Sequence, residues 1–435
     1  MAVTFYIEQF GCRATQADAA AIERQLLDRG CVQVANRAEA EVVVVNTCTV
    51  TAAADAQARD AIRKIHSGNP AARVIATGCY AQRAPEELAS LPGVSCVVGN
   101  SHKPQIASLV ASGFVPLGEL QAASGADPPS RGGILSSDIF ERSAFLSAPV
   151  LGGEAGHTRP TLKIQDGCNL RCAFCVIPFV RGKSRSMPPQ QVIGEIQRLV
   201  DGGAREIVLS GINLGTYGRD LTPLANLLEL LRRILDETTL ERLRLSSIEP
   251  QDVTQDLVDL FASTDRLAEH FHMPLQSGSD RILAAMHRWY RTAHYARRVE
   301  LIRERLPHAA IGADVIAGFP GETEDDHAAT LAFIERLPFT YLHVFSFSVR
   351  PGTQAAKLPH HIPGHVIKRR ARELRALGEA KAAGFRRSQH GRSLRVLTLR
   401  RDIDDCGTPA LSSNYLHIRV AGARPANVWT LGHVS

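Results

Sequence analysis

Three thiols fall within the eight residues Cys168-Asn-Leu-Arg-Cys172-Ala-Phe-Cys175, in the spacing C-x3-C-x2-C. Three thiolates on one tight loop suit three irons of a 4Fe–4S cluster, which prefers thiolate ligands. No fourth Cys follows at ligand spacing, which would leave one iron open to a small molecule. The alternative is a zinc knuckle, but structural zinc sites take four ligands, and no His or Cys lies close by in sequence to complete one. The spacing therefore favours a reactive iron–sulfur cluster.

Around this stretch, six apolar strand candidates alternate with helical patterns. Such alternation predicts parallel strands covered by helices, and six βα units indicate a partial TIM-type barrel rather than a closed eightfold one. Active residues of such barrels cluster at the carboxyl ends of strands, and the polar and Gly-containing motifs of this region fall there. The predicted strands are Leu162–Gln165, Glu206–Ser210, Arg242–Ser247, His270–Pro274, Ile311–Ile316 and Thr340–Phe345.

The amino-terminal region predicts a separate parallel sheet of the flavodoxin-like type. Its apolar runs at residues 3–7, 41–46 and 73–77 alternate with helical patterns at 17–29 and 53–66. Cys12, Cys48 and Cys79 each follow the carboxyl end of a predicted strand, the edge at which open α/β sheets bind ligands. They form a second three-thiolate set, and the alternative is three small buried residues. Cys31, Cys96 and Cys406 have no such placement and are interpreted as structural.

The chain has 435 residues, enough for two or three domains. We assign residues 1–120 to the first domain, 121–156 to a Gly/Ser/Pro-rich linker, 157–385 to the barrel and 386–435 to a small β-domain. No 18-residue apolar run and no signal-peptide pattern is present. These features predict a cytoplasmic protein whose Cys stay reduced and serve as ligands.

Positive charge is concentrated near the carboxyl end. The window Lys368–Arg401 contains twelve Lys/Arg and two Glu, whereas the whole chain has a net charge of +6. A local basic surface suits phosphate backbones, and the alternative is a solvated helix face. The predicted helix here spans residues 367–384.

Together these motifs resemble the methylthiotransferase family of radical S-adenosylmethionine (radical SAM) enzymes. Within that family the chain looks most like the branch that acts on threonylcarbamoyladenosine in tRNA, and its short tail resembles a TRAM RNA-binding domain. Thr15 departs from the family's usual Asn, which puts one polar contact in doubt. The matching segments are residues 11–13, 46–51, 77–80, 163–175, 177–178, 181–186, 274–278 and 314–323.

The resemblance implies two 4Fe–4S clusters, one on each Cys triplet, and S-adenosylmethionine bound at the open iron of the second. It implies addition of a methylthio group to C2 of N6-threonylcarbamoyladenosine next to the anticodon. It also implies tRNA as partner and an electron donor such as flavodoxin or ferredoxin, and it leaves the sulfur donor unknown. The alternatives are the isopentenyladenosine and ribosomal-protein aspartate branches, and a non-catalytic iron–sulfur RNA-binding protein.

Further site residues follow from the resemblance. Phe174 is expected to border the adenine of the cofactor, and Asn213, Glu249 and Gln276 to contact its ribose and methionine groups. The alternative for Phe174 is a core aromatic residue. The expected RNA contacts, for which the alternative is a solvated basic surface, are Arg181, Lys183, Arg185, Arg369, Arg370, Arg386 and Arg387.

Overall fold

The computed structural model describes residues 2–111, 133–141, 145–146, 148, 158–400 and 407–434. Its first sheet has six parallel strands, in the spatial order second, first, third, fourth, fifth and sixth along the chain. This is the flavodoxin-like order with one strand added at the edge, so the predicted fold of the first domain is confirmed. The strands are Thr4–Gln9, Val32–Gln33, Val42–Thr47, Arg73–Gly78, Val94–Gly99 and Gly133–Leu135.

The third strand, Val42–Thr47, shows the burial that is typical of an interior strand in a parallel sheet. All six of its residues are buried, as expected for a strand covered by helices on both faces. Apolar side chains pack on each face in two separate core clusters. The helices of this domain are Arg13–Leu27, Ala52–Gly68, Cys79–Arg83, Pro85–Ala89 and Ile106–Ala111.

The second domain is a six-stranded partial barrel, as predicted. Two three-stranded parallel sheets are joined by isolated parallel bridges, one of them between Ser247 and His272. The carboxyl ends of the strands share one rim, where polar motifs of a partial barrel converge. The barrel strands are Thr161–Lys163, Glu206–Ser210, Arg242–Leu245, His270–His272, Ala310–Ala317 and Tyr341–Ser346.

Helices cover the outside of the barrel, and a short antiparallel pair, Gln165–Asp166 with Arg185–Ser186, brackets the triple-Cys loop. No described helix combines the length and apolar content needed to cross a bilayer. The helices of this domain are Ile177–Arg181, Pro189–Asp201, Leu227–Glu237, Gln255–Ala262, Asp280–Ala285, Thr292–Arg305, Glu324–Arg336 and Gly364–Ser388.

The tail is a four-stranded antiparallel sheet of Ser393–Thr398, Thr408–Ser412, His417–Val420 and Trp429–His433. The second of these strands was not predicted, because Pro409 lacks an N–H for the ladder and weakens a strand pattern. The carbonyl of Pro409 still accepts a bond from Leu399 at 2.8 Å.

Two proposed domain limits differ from the observed elements. The proposed linker 121–156 lies largely outside the described residues, but Gly133–Leu135 within it pairs with Cys96–Val98 as an edge strand of the first sheet. That part of the linker prediction is wrong, because three residues with one half-buried Leu give too short a strand signal. Helix Gly364–Ser388 also runs across the proposed limit at 385/386.

Candidate functional site

The structure brings the three first-domain thiols together at the carboxyl edge of the sheet. Cys12 is the N-cap of helix Arg13–Leu27, Cys48 follows the third strand, and Cys79 begins the helix after the fourth. Gly11, at φ +98°, lets the Cys12 loop approach: a Cβ there would lie 2.7 Å from Cys48 Sγ. A side chain at this position is therefore excluded by both backbone conformation and space.

Thr15, the departure from the family pattern, supplies a polar contact of its own. Its hydroxyl lies 2.7 Å from the carbonyl oxygen of Cys12 and 2.8 Å from that of Phe10, and the side chain is fully buried. A second polar residue, Asn100, places its amide nitrogen 3.7 Å from Cys79 Sγ and 2.7 Å from the carbonyl of Val180. The thiol edge is thus held by hydrogen bonds from both domains.

The second set of thiols lies on the loop that follows Gln165–Asp166. The backbone of Ala173 anchors this loop twice, donating to the carbonyl of Met286 at 3.0 Å and accepting from Ala355 at 2.8 Å. Arg288 Nη1 donates to Cys172 Sγ at 3.2 Å, and the N–H of Leu170 lies 3.4 Å from Cys168 Sγ. N–H donors aimed at sulfur stabilise a thiolate or a cluster charge.

Burial affects the protonation of one thiol in each set, Cys48 and Cys175. Burial, followed by the neighbouring Cys79 and Cys12 thiols, raises the pKa of Cys48 to about 12. Burial also raises the pKa of Cys175 to about 12. Thiols of this kind keep their protons at neutral pH unless a metal replaces them, so loading of a metal must release protons. Two sets of three grouped sulfurs fit the donor requirement of two three-thiolate 4Fe–4S clusters.

A cavity of about 230 Å³ lies between the two thiol regions. The first domain contributes Val50 and Thr51, just after Cys48, and the cluster loop contributes Phe174 to Ile177. The barrel rim contributes Gln276, Asp314 and Ile316, and the chain after the last strand contributes residues 345–348. Such a concave site with apolar walls and few polar groups is typical of a small-molecule pocket.

Of the four residues predicted to contact the cofactor, two line the cavity and two lie outside its lining. Phe174 and Gln276 line the cavity. Asn213 lies outside its lining, and its side chain hydrogen-bonds the Cys168 thiol, which partly opposes the rise that burial causes in the pKa of Cys168. Glu249 forms an ion pair with Arg288, and burial raises the pKa of Glu249.

The prediction that Arg181 binds RNA is wrong. Its side chain is only 1% exposed and pairs with Asp18 at 2.9 Å and Asp166 at 2.8 Å. Lys103 and Lys163 also pair with Asp18. Together these five buried groups form an ion network that joins helix Arg13–Leu27 of the first domain to the barrel. The sequence does not reveal this network, because Asp18 and Arg181 are far apart along the chain.

The two other RNA contacts predicted on this loop, Lys183 and Arg185, differ in exposure. Arg185 is buried and donates to the carbonyls of Lys183 and Arg181 at 3.0 and 2.9 Å, so its assignment to RNA is a second correction. Lys183 is exposed and stays a predicted RNA contact.

On helix Gly364–Ser388, Arg370 is 3% exposed and pairs with Glu322 at 2.7 Å, so its assignment to RNA is a third correction. Arg369 pairs with Glu324 and Glu373 but keeps 43% of its side chain exposed. The predicted RNA contacts that remain half-buried or exposed are Arg369, Arg386 and Arg387.

Sequence reasoning missed one polar group at the cavity. His272, Asp314 and His343 converge on the inner face of the barrel, with Asp314 lining the cavity. No spacing motif marks them, since each comes from a different strand.

Comparisons with known proteins agree with this geometry. Residues 4–99 match the family described as Uncharacterized protein family UPF0004, and residues 162–334 match the Radical SAM superfamily. Among solved structures, the radical S-adenosylmethionine methyltransferase TsrM from Kitasatospora setae superposes with a TM-score of 0.56 at 18% identity, covering 82% of this chain and 77% of that one. This likeness supports the fold alone.

Similar curated proteins span nearly the whole chain. The threonylcarbamoyladenosine tRNA methylthiotransferase MtaB of Aquifex aeolicus (strain VF5) is 37% identical, covering 95% of this chain and 96% of that protein. The protein of the same name from Bacillus subtilis (strain 168) is 35% identical, covering 91% and 84%. The tRNA-2-methylthio-N(6)-dimethylallyladenosine synthase of Arthrobacter sp. (strain FB24) is 35% identical, covering 91% and 73%. With both domains matched and identity sustained from end to end, this chain belongs to the radical SAM methylthiotransferase family.

Proposed function

We propose that this chain adds a methylthio group to C2 of N6-threonylcarbamoyladenosine next to the anticodon of tRNA. The observation that carries the proposal is one cavity whose walls include Cys175 of the second thiol set and Val50 and Thr51, which closely follow Cys48 of the first. It occurs in a chain that aligns over 96% of a relative named for this reaction. Two sites at one cavity suit a reaction that needs both a radical and a sulfur donor.

The chain's own residues have separable tasks in this proposal. Cys168, Cys172 and Cys175 hold one 4Fe–4S cluster, and Cys12, Cys48 and Cys79 hold the other. When bound, the cluster of the second domain together with S-adenosylmethionine supplies one-electron cleavage of the sulfonium, and with it the ability to activate an aromatic C–H bond. The protein positions these groups and excludes water from them.

Arg288 orients the second-domain loop. It donates to Cys172 Sγ and pairs with Glu249, so one buried cation is shared between a sulfur and a carboxylate. Asn213, whose side chain hydrogen-bonds the Cys168 thiol, lies beside the second cluster and is suited to contact the polar part of S-adenosylmethionine. Phe174 and Gln276 face the cavity and are suited to its adenine and ribose. Val50 and Ile316 add apolar surface to the walls of the cavity.

The partners follow from the same proposal. The tRNA backbone meets the exposed cations of helix Gly364–Ser388 and Lys183, and a flavodoxin- or ferredoxin-type protein delivers the electrons. We place the reaction in the cytoplasm, where tRNA is modified. The sulfur donor is not assigned.

A second candidate substrate is N6-dimethylallyladenosine, because the Arthrobacter relative named for it is 35% identical. The alignment with this chain covers 73% of that relative's length and 96% of the length of the Aquifex protein. The fuller alignment favours the threonylcarbamoyl substrate.

Mass spectrometry of tRNA nucleosides tests the choice. A strain lacking the gene should lose the 2-methylthio form of threonylcarbamoyladenosine and regain it on complementation. Loss of the methylthio form of dimethylallyladenosine instead would transfer the proposal to the second substrate. Failure of the reduced, reconstituted protein to cleave S-adenosylmethionine would leave a non-catalytic iron–sulfur RNA-binding protein.

A further inference from the structure

Two histidines and one aspartate converge at the inner face of the barrel. His272 Nε2 lies 2.8 Å from Asp314 Oδ1, and His343 Nδ1 lies 3.3 Å from the same oxygen. All three donor atoms lie within 4.8 Å of one another. None of these three residues belongs to either thiol set, so they form a separate polar group.

The backbone imposes this convergence. Asp314 and His343 are direct partners in the parallel register of their two strands, and His272 ends the next strand, opposite Gly312. Side chains at matched register positions on adjacent strands share a face. The group is therefore built by three neighbouring strands rather than by loops.

A second layer of hydrogen bonds fixes the His272 ring. Its Nδ1 lies 2.9 Å from the hydroxyl of Tyr341, which in turn lies 2.7 Å from His270 Nε2. Metal-binding histidines almost always have their second ring nitrogen hydrogen-bonded in this way, which sets the tautomer and the ring orientation.

The charge and exposure of the group suit a cation. Asp314 contributes a carboxylate oxygen that faces the ring nitrogens of both His272 and His343. The His272 side chain is 7% exposed and that of Asp314 22%, whereas His343 is 56% exposed and open to the entry side. The site therefore combines a fixed anionic centre with an approach route.

We propose that His272, Asp314 and His343 bind one divalent first-row transition-metal ion, with its remaining coordination positions facing the cavity. Ligand atoms bound at about 2.1 Å and at angles of roughly 90–109° lie about 2.9–3.4 Å apart. The separation of 3.3 Å between His343 and Asp314 falls within this range, and that of 2.8 Å between His272 and Asp314 lies just below it. Two imidazoles and one carboxylate with open positions are the donor set of mononuclear Fe(II)-type and Mn(II)-type sites.

The nitrogen and oxygen donors distinguish this site from the thiol sets. Thiolates select iron–sulfur clusters and zinc, whereas imidazole and carboxylate also accept Mn(II). Because Asp314 is both a ligand and a wall of the cavity, the open positions would receive water or an oxygen donor of a molecule bound there. The inference does not depend on which nucleoside is the substrate.

Mn(II) binding to the reconstituted holoprotein tests the proposal without measuring activity. Both clusters are first assembled and oxidised to an EPR-silent state. When Mn(II) is then added, the six-line EPR signal of free Mn(II) should stay suppressed until one ion per chain has bound. The bound ion should show nitrogen couplings from imidazole. His343→Gln, at an exposed position, should weaken binding at least about tenfold, and so should Asp314→Asn.

His365→Gln is the matched control, because His365 is exposed on helix Gly364–Ser388 and outside the group; it should bind Mn(II) as the unchanged protein does. Tyr341→Phe, which removes only the second layer, should weaken binding by about tenfold. Equal Mn(II) affinity in the unchanged protein and in His343→Gln, or no nitrogen coupling, would show that these residues are only a hydrogen-bonded cluster.

Discussion

The two thiol sets have different roles in the proposed reaction, and each consists of its own cysteines. Cys48 is buried beside Cys12 and Cys79, while Cys175 is buried beside Cys168 and Cys172. The two sets share no ligand, so a change in one leaves the donor atoms of the other intact.

Replacing one first-domain thiol should therefore separate the two activities. Cys48→Ala is expected to lower iron from about eight to about four per chain, the content of one 4Fe–4S cluster. It should still cleave S-adenosylmethionine and should transfer no methylthio group. Iron analysis, deoxyadenosine formation and nucleoside mass spectrometry measure the three quantities.

Cys96→Ala is the matched control, since Cys96 is a buried thiol of the same domain packed in its apolar core. It should retain full iron content. Full methylthio transfer by purified Cys48→Ala protein would remove the first-domain cluster from the proposal.

Helix Gly364–Ser388 has one basic residue on its buried face and several on an exposed face. Arg370, Ala371, Leu374 and Gly378 form its buried side, so Arg370 stabilises the fold through Glu322. Lys368, Arg372 and Arg375 are all exposed, and their spacing of four and three residues places them on one face. This face is available to a phosphate backbone.

Charge reversal of that face should weaken tRNA binding. The variant Lys368→Glu, Arg372→Glu, Arg375→Glu is expected to bind tRNA less tightly and to reduce the salt dependence of the affinity by about one unit of slope per lost phosphate contact. Filter binding across salt concentrations measures both. RNA-free cleavage of S-adenosylmethionine should not change.

The control for this variant reverses Arg232 and Arg297, two exposed arginines on helices outside the barrel. If the control and the helix variant bind tRNA equally well, the basic stretch is only a solvated surface, and tRNA must dock elsewhere.

At the scale of the whole molecule, buried ion networks join the domains. Asp18 links the first domain to the barrel. In a second network, Arg244 pairs with Glu206 at 2.8 Å and donates to the carbonyls of Ser412 and Ser413 at 3.0 Å, binding the tail sheet to the barrel. Removing one partner of such a network leaves an uncompensated buried charge.

Glu206→Gln should lower the free energy of unfolding by about 3–5 kcal/mol near neutral pH. Although burial opposes its charge, Arg244, Arg159 and Arg242 lower the pKa of Glu206 from 4.5 to about 2. A lowered pKa stabilises the fold above pH 4.5, and this contribution is lost as the pH falls toward 2. The difference between the two proteins should therefore narrow with acid.

Denaturant unfolding between pH 7 and pH 3 measures this difference. Glu241→Gln is the control, because Glu241 pairs with Arg205 and Arg395 at the surface, and it should change stability by less than about 1 kcal/mol. An equal loss of stability in both variants, or a difference constant with pH, would contradict the assignment.

The sequence by itself determined the features that depend on local pattern. Cysteine spacing identified the second-domain thiol set, and positions at the ends of predicted strands identified the first-domain set. The unbroken apolar run at Val42–Val45 identified a buried parallel strand, because spacing and periodicity are properties of contiguous residues. Tertiary structure alone decided which charges are buried. Arg181 and Arg370 look like any basic residue until Asp18 and Glu322 are brought against them. Likewise, the His272–Asp314–His343 group exists only through the register of three strands, which no contiguous segment encodes.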